Sequence, residues 1–188
     1  MSFERPRELT DPKAMRALAH PIRLQLLEEL ADAGTLTATE AAERLGESPA
    51  NASFHLRQLA KYGYVVEAEG GTGRKRPWKL KSLGMRWTDV HEDAEVAGAA
   101  RELGRVQFDR YLDRARRGLE ERHAQPEAWR AVTGVNQIRL YLTPEELEQL
   151  DEEILEILLG RFADRRTHSP GHPEDAERVE ILTLAYRV

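Results

Sequence analysis

Residues 37–81 read TATEAAERLGESPANASFHLRQLAKYGYVVEAEGGTGRKRPWKLK, and this stretch decides the fold. Its pattern predicts a short helix, a glycine turn and a second helix, followed by two strands that flank a glycine-rich turn. Gly46 ends the first helix, because glycine adopts the left-handed backbone conformation of a helix stop at little cost. Ser48 at the N-cap and Pro49 at the first helical position begin the second helix.

The second helix of this stretch has an apolar face and a mainly polar face. Ala52, Leu56 and Leu59 share one side and are expected to point into the protein. A helix presented in this way after a tight turn can enter the major groove of DNA. The candidate DNA-binding residues on its N-terminus and outer side are Ser48, Ala50, Asn51, Ser53, Phe54, His55, Arg57 and Lys61.

A β-hairpin is predicted after the second helix. Residues 64–68 and 77–81 favour strands, residues 70–73 form the glycine-rich turn, and Leu36 is a candidate third strand. From 57 to 81 the chain carries seven cations and two anions, so positive charge concentrates where a phosphate backbone would lie. The hairpin residues expected to contact DNA are Arg74, Lys75 and Arg76.

Several motifs in residues 12–82 resemble the winged helix-turn-helix of ArsR-type bacterial transcriptional repressors. The resemblance rests on LAHPIR at 18–23, the turn around Gly46, SFHLRQL at 53–59 and GYVV at 63–66. It implies a winged DNA-binding fold and a transcriptional regulator. Phe54 departs from the family, because many members carry a basic or polar residue at this position.

Members of this family often bind regulatory metals, and the resemblance therefore raises the question of a metal site. One type of site uses an Asp-x-His pair at the start of a long helix, and Asp89 and His91 match that half. The expected partners fall on Glu102 and Arg105, and arginine cannot ligate a metal. We therefore expect neither a metal site nor a cofactor.

Composition limits the possible classes of protein. The chain has 188 residues and a formal net charge of -5. It contains no cysteine, and this excludes disulfides and thiolate metal sites. Residues 1–88 carry 14 Lys and Arg against 11 Asp and Glu, whereas residues 89–188 carry 14 against 22. An apolar run long enough to span a membrane is absent, as is a signal-peptide core, so we expect a cytoplasmic protein.

The helices around the winged unit are expected to support it or to pair it with a second copy. Residues 1–10 are polar and expected to be loosely held, and His20-Pro21 joins two scaffold helices. Residues 90–122 favour one long helix, which could either dimerise or pack against its own domain. Dimerisation is the preferred reading because Phe108, Leu112, Ala115 and Leu119 repeat at coiled-coil spacing.

The last third of the chain predicts a separate module. After a linker at 123–133, residues 135–142 alternate like a strand, Thr143 to Glu146 form a capping box, and 179–188 favour a last strand. The expected fold class is mainly α with small β (α+β). The expected domains are a winged helix-turn-helix at 1–88, a long dimerisation helix at 89–123, and a strand-helix-strand module at 124–188.

These observations predict a homodimeric, sequence-specific repressor that binds a pseudo-palindromic operator and is not an enzyme. An alternative places a ligand-binding or enzymatic module in 124–188, with the winged unit used for protein contacts; no catalytic constellation in the sequence favours it. A third possibility is non-specific architectural DNA binding. Control by a small organic effector is also considered, with candidate lining residues Trp87, Phe108, Tyr111, Trp129 and Tyr141.

Overall fold

The described part of the chain contains short strands and seven α-helices, joined by irregular segments. The structure is a computed structural model, and it describes residues 7–71, 76–82, 84–162, 165 and 173–188. It divides into two compact units, Met1–Phe108 and Asp109–Val188. The expected class, mainly α with small β sheets and a helix-turn-helix near the N-terminus, is confirmed.

The core of the first unit is built by helices. Leu18, Leu26 and Leu30 are fully buried, because each lies on the apolar stripe of its helix. Proline and capping residues begin the helices as the sequence indicates, with the Asp11 side chain accepting from the Lys13 amide before the first of them. The helices of this unit are α1 (Pro12–Leu18), α2 (Pro21–Ala33), α3 (Ala38–Leu45), α4 (Pro49–Lys61) and α5 (Ala94–Glu120), the last of which continues into the second unit.

In the described part of the first unit, five short strands form two small sheets. They are β1 (Arg7–Glu8), β2 (Thr35–Leu36), β3 (Val65–Glu67), β4 (Trp78–Leu80) and β5 (Met85–Arg86). Strands β2, β4 and β3 form an antiparallel sheet in that order, which confirms the third strand expected at Leu36. Strands β1 and β5 pair in parallel. The β3–β4 hairpin is called the wing below.

The N-terminal segment is more tightly held than its polar composition suggested. The expectation that all of residues 1–10 are loose is wrong for residues 7–9. Leu9 is buried in the core, and its amide donates to the Arg86 carbonyl at 2.9 Å. The reason is tertiary: β5, nearly eighty residues further along the chain, offers an edge that the local sequence does not reveal.

The first half of α5 packs against its own domain. Ala99, Ala100 and Leu103 are buried in the same core as α1, α2 and α4, as the alternative reading of this helix allowed. The helix begins later than the predicted residue 90, because the Asp93 carboxylate caps it by accepting from the Glu95 amide at 2.7 Å.

Among its described residues, the second unit contains two α-helices of its own, preceded by a 3-10 turn (Glu121–Ala124). Residues 123–133 were predicted to be a linker, but Glu127–Val132 form a helix, α6, which begins after Pro126. Helix α7 (Pro144–Glu156) starts at the predicted capping box, and a π-helical turn (Ile157–Arg161) follows it. The expected helix start at Thr143 is therefore confirmed.

The two strands predicted in the second unit are not observed. Residues 135–142 and 179–188 are all described, and none of them pairs in a sheet. Ile138 and Ile181 are 79% and 64% exposed. Alternation of apolar and polar residues predicts that a strand would have one apolar and one polar face. A β-ladder also needs a neighbouring strand to supply hydrogen-bond partners, and none of the described segments occupies that position.

The turn between α3 and α4 sets the direction in which α4 leaves. The Thr37 hydroxyl and the Glu40 side chain form a capping box at the start of α3. At its end Gly46 has φ 67° and ψ 28°, and the Glu47 amide donates to the Ala42 carbonyl at 2.9 Å. This left-handed stop lets the chain reverse and begin α4 three residues later.

Replacing Gly46 by alanine should therefore destabilise the protein. The cost comes from the positive φ rather than from crowding, because a Cβ there meets no atom within 4 Å. We expect a loss of about 1–2 kcal/mol in the free energy of unfolding, measured by urea denaturation. Gly98→Ala is the matched control, since Gly98 is helical with open space and should gain about 0.5–1 kcal/mol. Equal effects of the two changes would contradict this account of the turn.

Candidate nucleic-acid interface

The N-terminus of α4 projects from the protein with its first residues open to solvent. Ser48, Pro49 and Ala50 are exposed, and the Ser48 hydroxyl accepts from the Asn51 amide at 3.2 Å. Pro49 has no amide hydrogen to satisfy, so the helix can start without further partners. The Ala52 amide donates to the Ser48 carbonyl at 3.0 Å, and the helix dipole gives this end a partial positive charge, which suits an anionic phosphate.

The outer face of α4 combines cations with one aromatic ring. Arg57 and Lys61 are exposed, and Phe54 is 51% exposed. Ser53 is half-buried at the edge of this face. The exposed residues follow one another at helical spacing, so the structure brings together most of the predicted base-contacting set. We call the exposed residues Ala50, Phe54, Arg57 and Lys61 the outer stripe.

Asn51 lies beside the outer stripe and is already engaged. Its Nδ2 donates to the Glu47 carboxylate at 2.8 Å, in the turn that precedes α4. Both side chains are of types that read bases in DNA complexes. A Glu carboxylate accepts a hydrogen bond from the amino group of cytosine, and an Asn amide forms a bidentate pair with adenine. Glu47 was not among the predicted residues, because only the turn geometry brings it next to Asn51.

The wing carries further cations on short, regular strands. In β3 and β4 the register pairs Val66 with Lys79 and Glu67 with Trp78, and Lys79 is exposed. Arg76 reaches across the hairpin to the Glu67 carboxylate at 2.8 Å. Both side chains of this ion pair are about half exposed, so it contributes little to stability and can exchange for a phosphate. Arg74 and Lys75 lie outside the described residues.

The far end of α4 is held by the N-terminal segment. Arg7 Nη1 donates to the Gly63 carbonyl at 2.8 Å and to the Tyr62 carbonyl at 3.2 Å, which satisfies carbonyls at the end of the helix. The guanidinium also lies over the Tyr64 ring, 5.1 Å from its centroid. The Tyr64 hydroxyl donates to the Ala14 carbonyl at 2.8 Å, and burial raises the pKa of this phenol to about 12. Local sequence could not reveal this clamp, because its partners are 50 or more residues apart.

A comparison with protein-family models agrees with this geometry. A model described as a helix-turn-helix domain matches residues 18–67, which run from the end of α1 to the end of β3. Residues 18–67 are therefore similar to a helix-turn-helix domain. The match supports DNA binding and transcription regulation as the class of function, and points to a regulator rather than an enzyme. No curated protein matches the chain.

The residues predicted to line an effector site are divided between the two units of the chain. Trp87 and Phe108 belong to the first unit, and Tyr111, Trp129 and Tyr141 to the second. Trp87 is half-buried and lines an open depression of about 440 Å³, together with Thr88, Asp89, Ala100, Arg101 and Gly104. Tyr141 is fully exposed and Phe108 is 44% exposed.

The described part of the chain contains neither a cluster of metal-ligating side chains nor a helix that could span a membrane. In residues 7–71, 76–82, 84–162, 165 and 173–188, no three His, Cys, Asp or Glu side chains cluster in a way that could hold a metal ion. No helix in the same ranges is both long and apolar enough to cross a bilayer.

His55 was predicted to lie on the exposed face of α4, and this expectation is wrong. The side chain is only 7% exposed and its ring lies 4.6 Å, centroid to centroid, from the ring of His20 at the start of α2. His55 follows Ala52 by three residues and precedes Leu59 by four, so it lies on the apolar side of α4, where the His20 ring covers it. Neither Nδ1 atom of the pair has a hydrogen-bond partner among the described residues.

Both histidines favour the neutral form in the folded protein. Burial lowers the pKa of His55, and the neighbouring His20 and Arg23 lower it further, against a smaller opposing effect of Glu47. Burial and then Arg23 lower the pKa of His20. In the unfolded chain both titrate near the ordinary value of about 6.5, so the unfolded state takes up protons first as the pH falls.

Acidification should therefore destabilise the helix-turn-helix unit. The free energy of unfolding should be constant with respect to these groups above about pH 7.5 and should decrease as the pH falls through 6.5. Urea denaturation at pH 7.5 and 5.5 measures the loss. His55→Leu should reduce that loss, whereas the exposed His123→Gln should leave it unchanged. A loss of the same size in all three proteins would contradict the assignment.

Proposed function

We propose that the protein is a homodimeric, sequence-specific transcriptional repressor that binds a pseudo-palindromic DNA operator. The observation that carries the proposal is the outer stripe of α4, which is presented to solvent with cations and an open helix N-terminus. In this proposal α4 enters the major groove and the wing contacts the flanking backbone. The resemblance to ArsR-type bacterial repressors supports repression, and a DNA partner supports a cytoplasmic location.

Residues are assigned to two roles in the proposed complex. Base contacts are given to the N-terminal half of α4, where Asn51 and Glu47 form a polar pair beside the stripe. Phosphate contacts are given to Ser48, Arg57, Lys61 and the wing. His55 receives no DNA contact, because its ring is buried against His20.

Selection of bound sequences from a random DNA pool tests the proposal directly. A repressor of this kind should enrich one sequence with two related half-sites about one helical turn apart. Its affinity for that sequence should exceed that for random DNA by at least about 10³ at one salt concentration. Comparable affinities would instead favour architectural DNA binding, and no binding would favour the protein-contact alternative.

The wing is proposed to contact phosphates through Arg74, Lys75 and Arg76. Replacing all three by alanine should weaken binding to specific and random DNA alike. Each lost phosphate contact should lower the slope of log K against log salt by about 0.9, because fewer counterions are released. Fluorescence anisotropy between 50 and 300 mM salt measures this slope.

The matched control changes the net charge equally in the second unit of the chain. Arg116, Arg117 and Arg130 are exposed and lie beyond the helix-turn-helix unit. Their triple alanine variant should keep the slope of the wild type. An unchanged slope in the wing variant, or an equal drop in both, would remove the wing from the proposed interface.

The proposed dimer is supported by the second unit. Among its described side chains, from 109 to 188, none is buried, although the segment contains many large apolar residues. On α5, Phe108 and Leu119 of the coiled-coil seam are 44% and 41% exposed. A segment of this size needs a core to stay folded, so we infer that a second copy covers these side chains.

Light scattering should therefore give the mass of two chains at micromolar concentration. Leu119→Asp places a charge in the seam and should shift the protein to monomer, with weaker binding to the two-half-site operator. Arg117→Asp, two residues away and off the seam, should remain dimeric. A wild-type monomer at this concentration would overturn the dimer.

Control by a small organic effector is the last part of the proposal. The depression next to Trp87 is the site supported by the described residues, and release of DNA requires several kcal/mol of differential affinity between two dimer geometries. Zinc, a chelator and a library of aromatic compounds should be titrated against the DNA complex. An aromatic compound should release DNA from the wild type and not from Trp87→Ala. Release by zinc, lost on replacing Asp89 and His91, would overturn this assignment.

A further inference from the structure

One apolar side chain stands out on the surface of residues 7–89. Between residues 7 and 89, Phe54 is the only described large hydrophobic side chain that is exposed. Single exposed apolar residues are common and often need no explanation. This one lies in the middle of the outer stripe of α4, on the face proposed to meet DNA, where a polar or basic residue would bind phosphates or bases better.

The ring of Phe54 contacts the buried ring of His55. Its edge-to-face contact with His55 has a centroid distance of 5.2 Å and an interplanar angle of 76°. His55 is itself buried against His20, so the contact connects the exposed ring to the packed core. A ring held in this way loses little conformational freedom when it contacts a ligand.

The neighbours of Phe54 determine which ligand suits it. Ala50 precedes it by one helical turn, and Arg57 and Lys61 follow it on the same stripe. Cations on both the helix and the wing favour a polyanion over an apolar protein surface. The ligand that suits an apolar ring among cations is therefore an apolar group that is part of a polyanion.

We propose that Phe54 reads thymine, with its ring against the C5-methyl group that thymine presents in the major groove. This inference rests on the proposed function. The methyl group is a distinct apolar feature of the base edges in that groove, and phenylalanine is among the side chains that contact it. Phe54 thereby sets specificity at one thymine, or at two adjacent ones, in each half-site.

The test removes thymine methyl groups one at a time. In the selected operator, each thymine is replaced singly by deoxyuridine, which keeps base pairing and lacks only the methyl group. Wild-type protein should lose about fourfold in affinity at one or two positions per half-site, the effect of one buried methyl group. Phe54→Ala should bind the operator more weakly and should show no loss at those same positions. Phe54→Leu, which keeps an apolar side chain, should retain part of the sensitivity.

Two controls separate this effect from others. Val90→Ala removes another exposed apolar side chain, 83% exposed and outside α4, and should keep the wild-type deoxyuridine profile. Circular dichroism and urea denaturation of Phe54→Ala check that the variant is folded. Uracil also alters DNA flexibility slightly, but that effect is common to the wild type and to the variant.

The possible outcomes distinguish the inference from the function on which it rests. If no sequence is enriched from the random pool, the proposed function itself fails. If an operator is obtained but wild-type protein is indifferent to every deoxyuridine, only the role of Phe54 is refuted. It is equally refuted if Phe54→Ala keeps the same sensitive positions as the wild type.

Discussion

The burial of Leu56 and Leu59 is the constraint on which the described interface depends. Both side chains are essentially inaccessible to solvent, and they fix the rotation of α4 about its axis. Once that face is committed to the core, helical geometry leaves Ala50, Phe54, Arg57 and Lys61 on the opposite side. The same constraint excludes His55, which lies on the side of Ala52 and Leu59 and is buried with them.

Helix α4 is held at both ends by different kinds of interaction. Its N-terminus depends on local chemistry, namely the left-handed Gly46 and the Ser48 cap. Its C-terminus depends on distant residues, because Arg7 satisfies the carbonyls of Tyr62 and Gly63. A helix held at both ends can present the same side chains in the same geometry, which is a condition for specific recognition of bases.

The two units of the chain differ in how far their apolar side chains are buried. The first unit encloses a continuous core that includes Leu18, Leu26 and Leu103. In the second unit the described side chains remain accessible, including Ile138 and Ile181. Helix α5 spans the boundary between the units, with buried residues in its first half and an exposed seam in its second. This difference is the physical basis for inferring a second copy of the chain.

By itself, the sequence determined those features that local chemistry specifies. The turn at Gly46, the caps at Ser48 and Thr143 and the strands of the wing could be predicted, because each depends on a few neighbouring residues. Only the tertiary structure decided the clamp formed by Arg7, the burial of His55 and the unpaired state of residues 135–142 and 179–188. Each of these three features depends on which distant segment packs against the residues concerned. The periodicity of a segment predicts its own two faces, but it does not identify the neighbour that covers them.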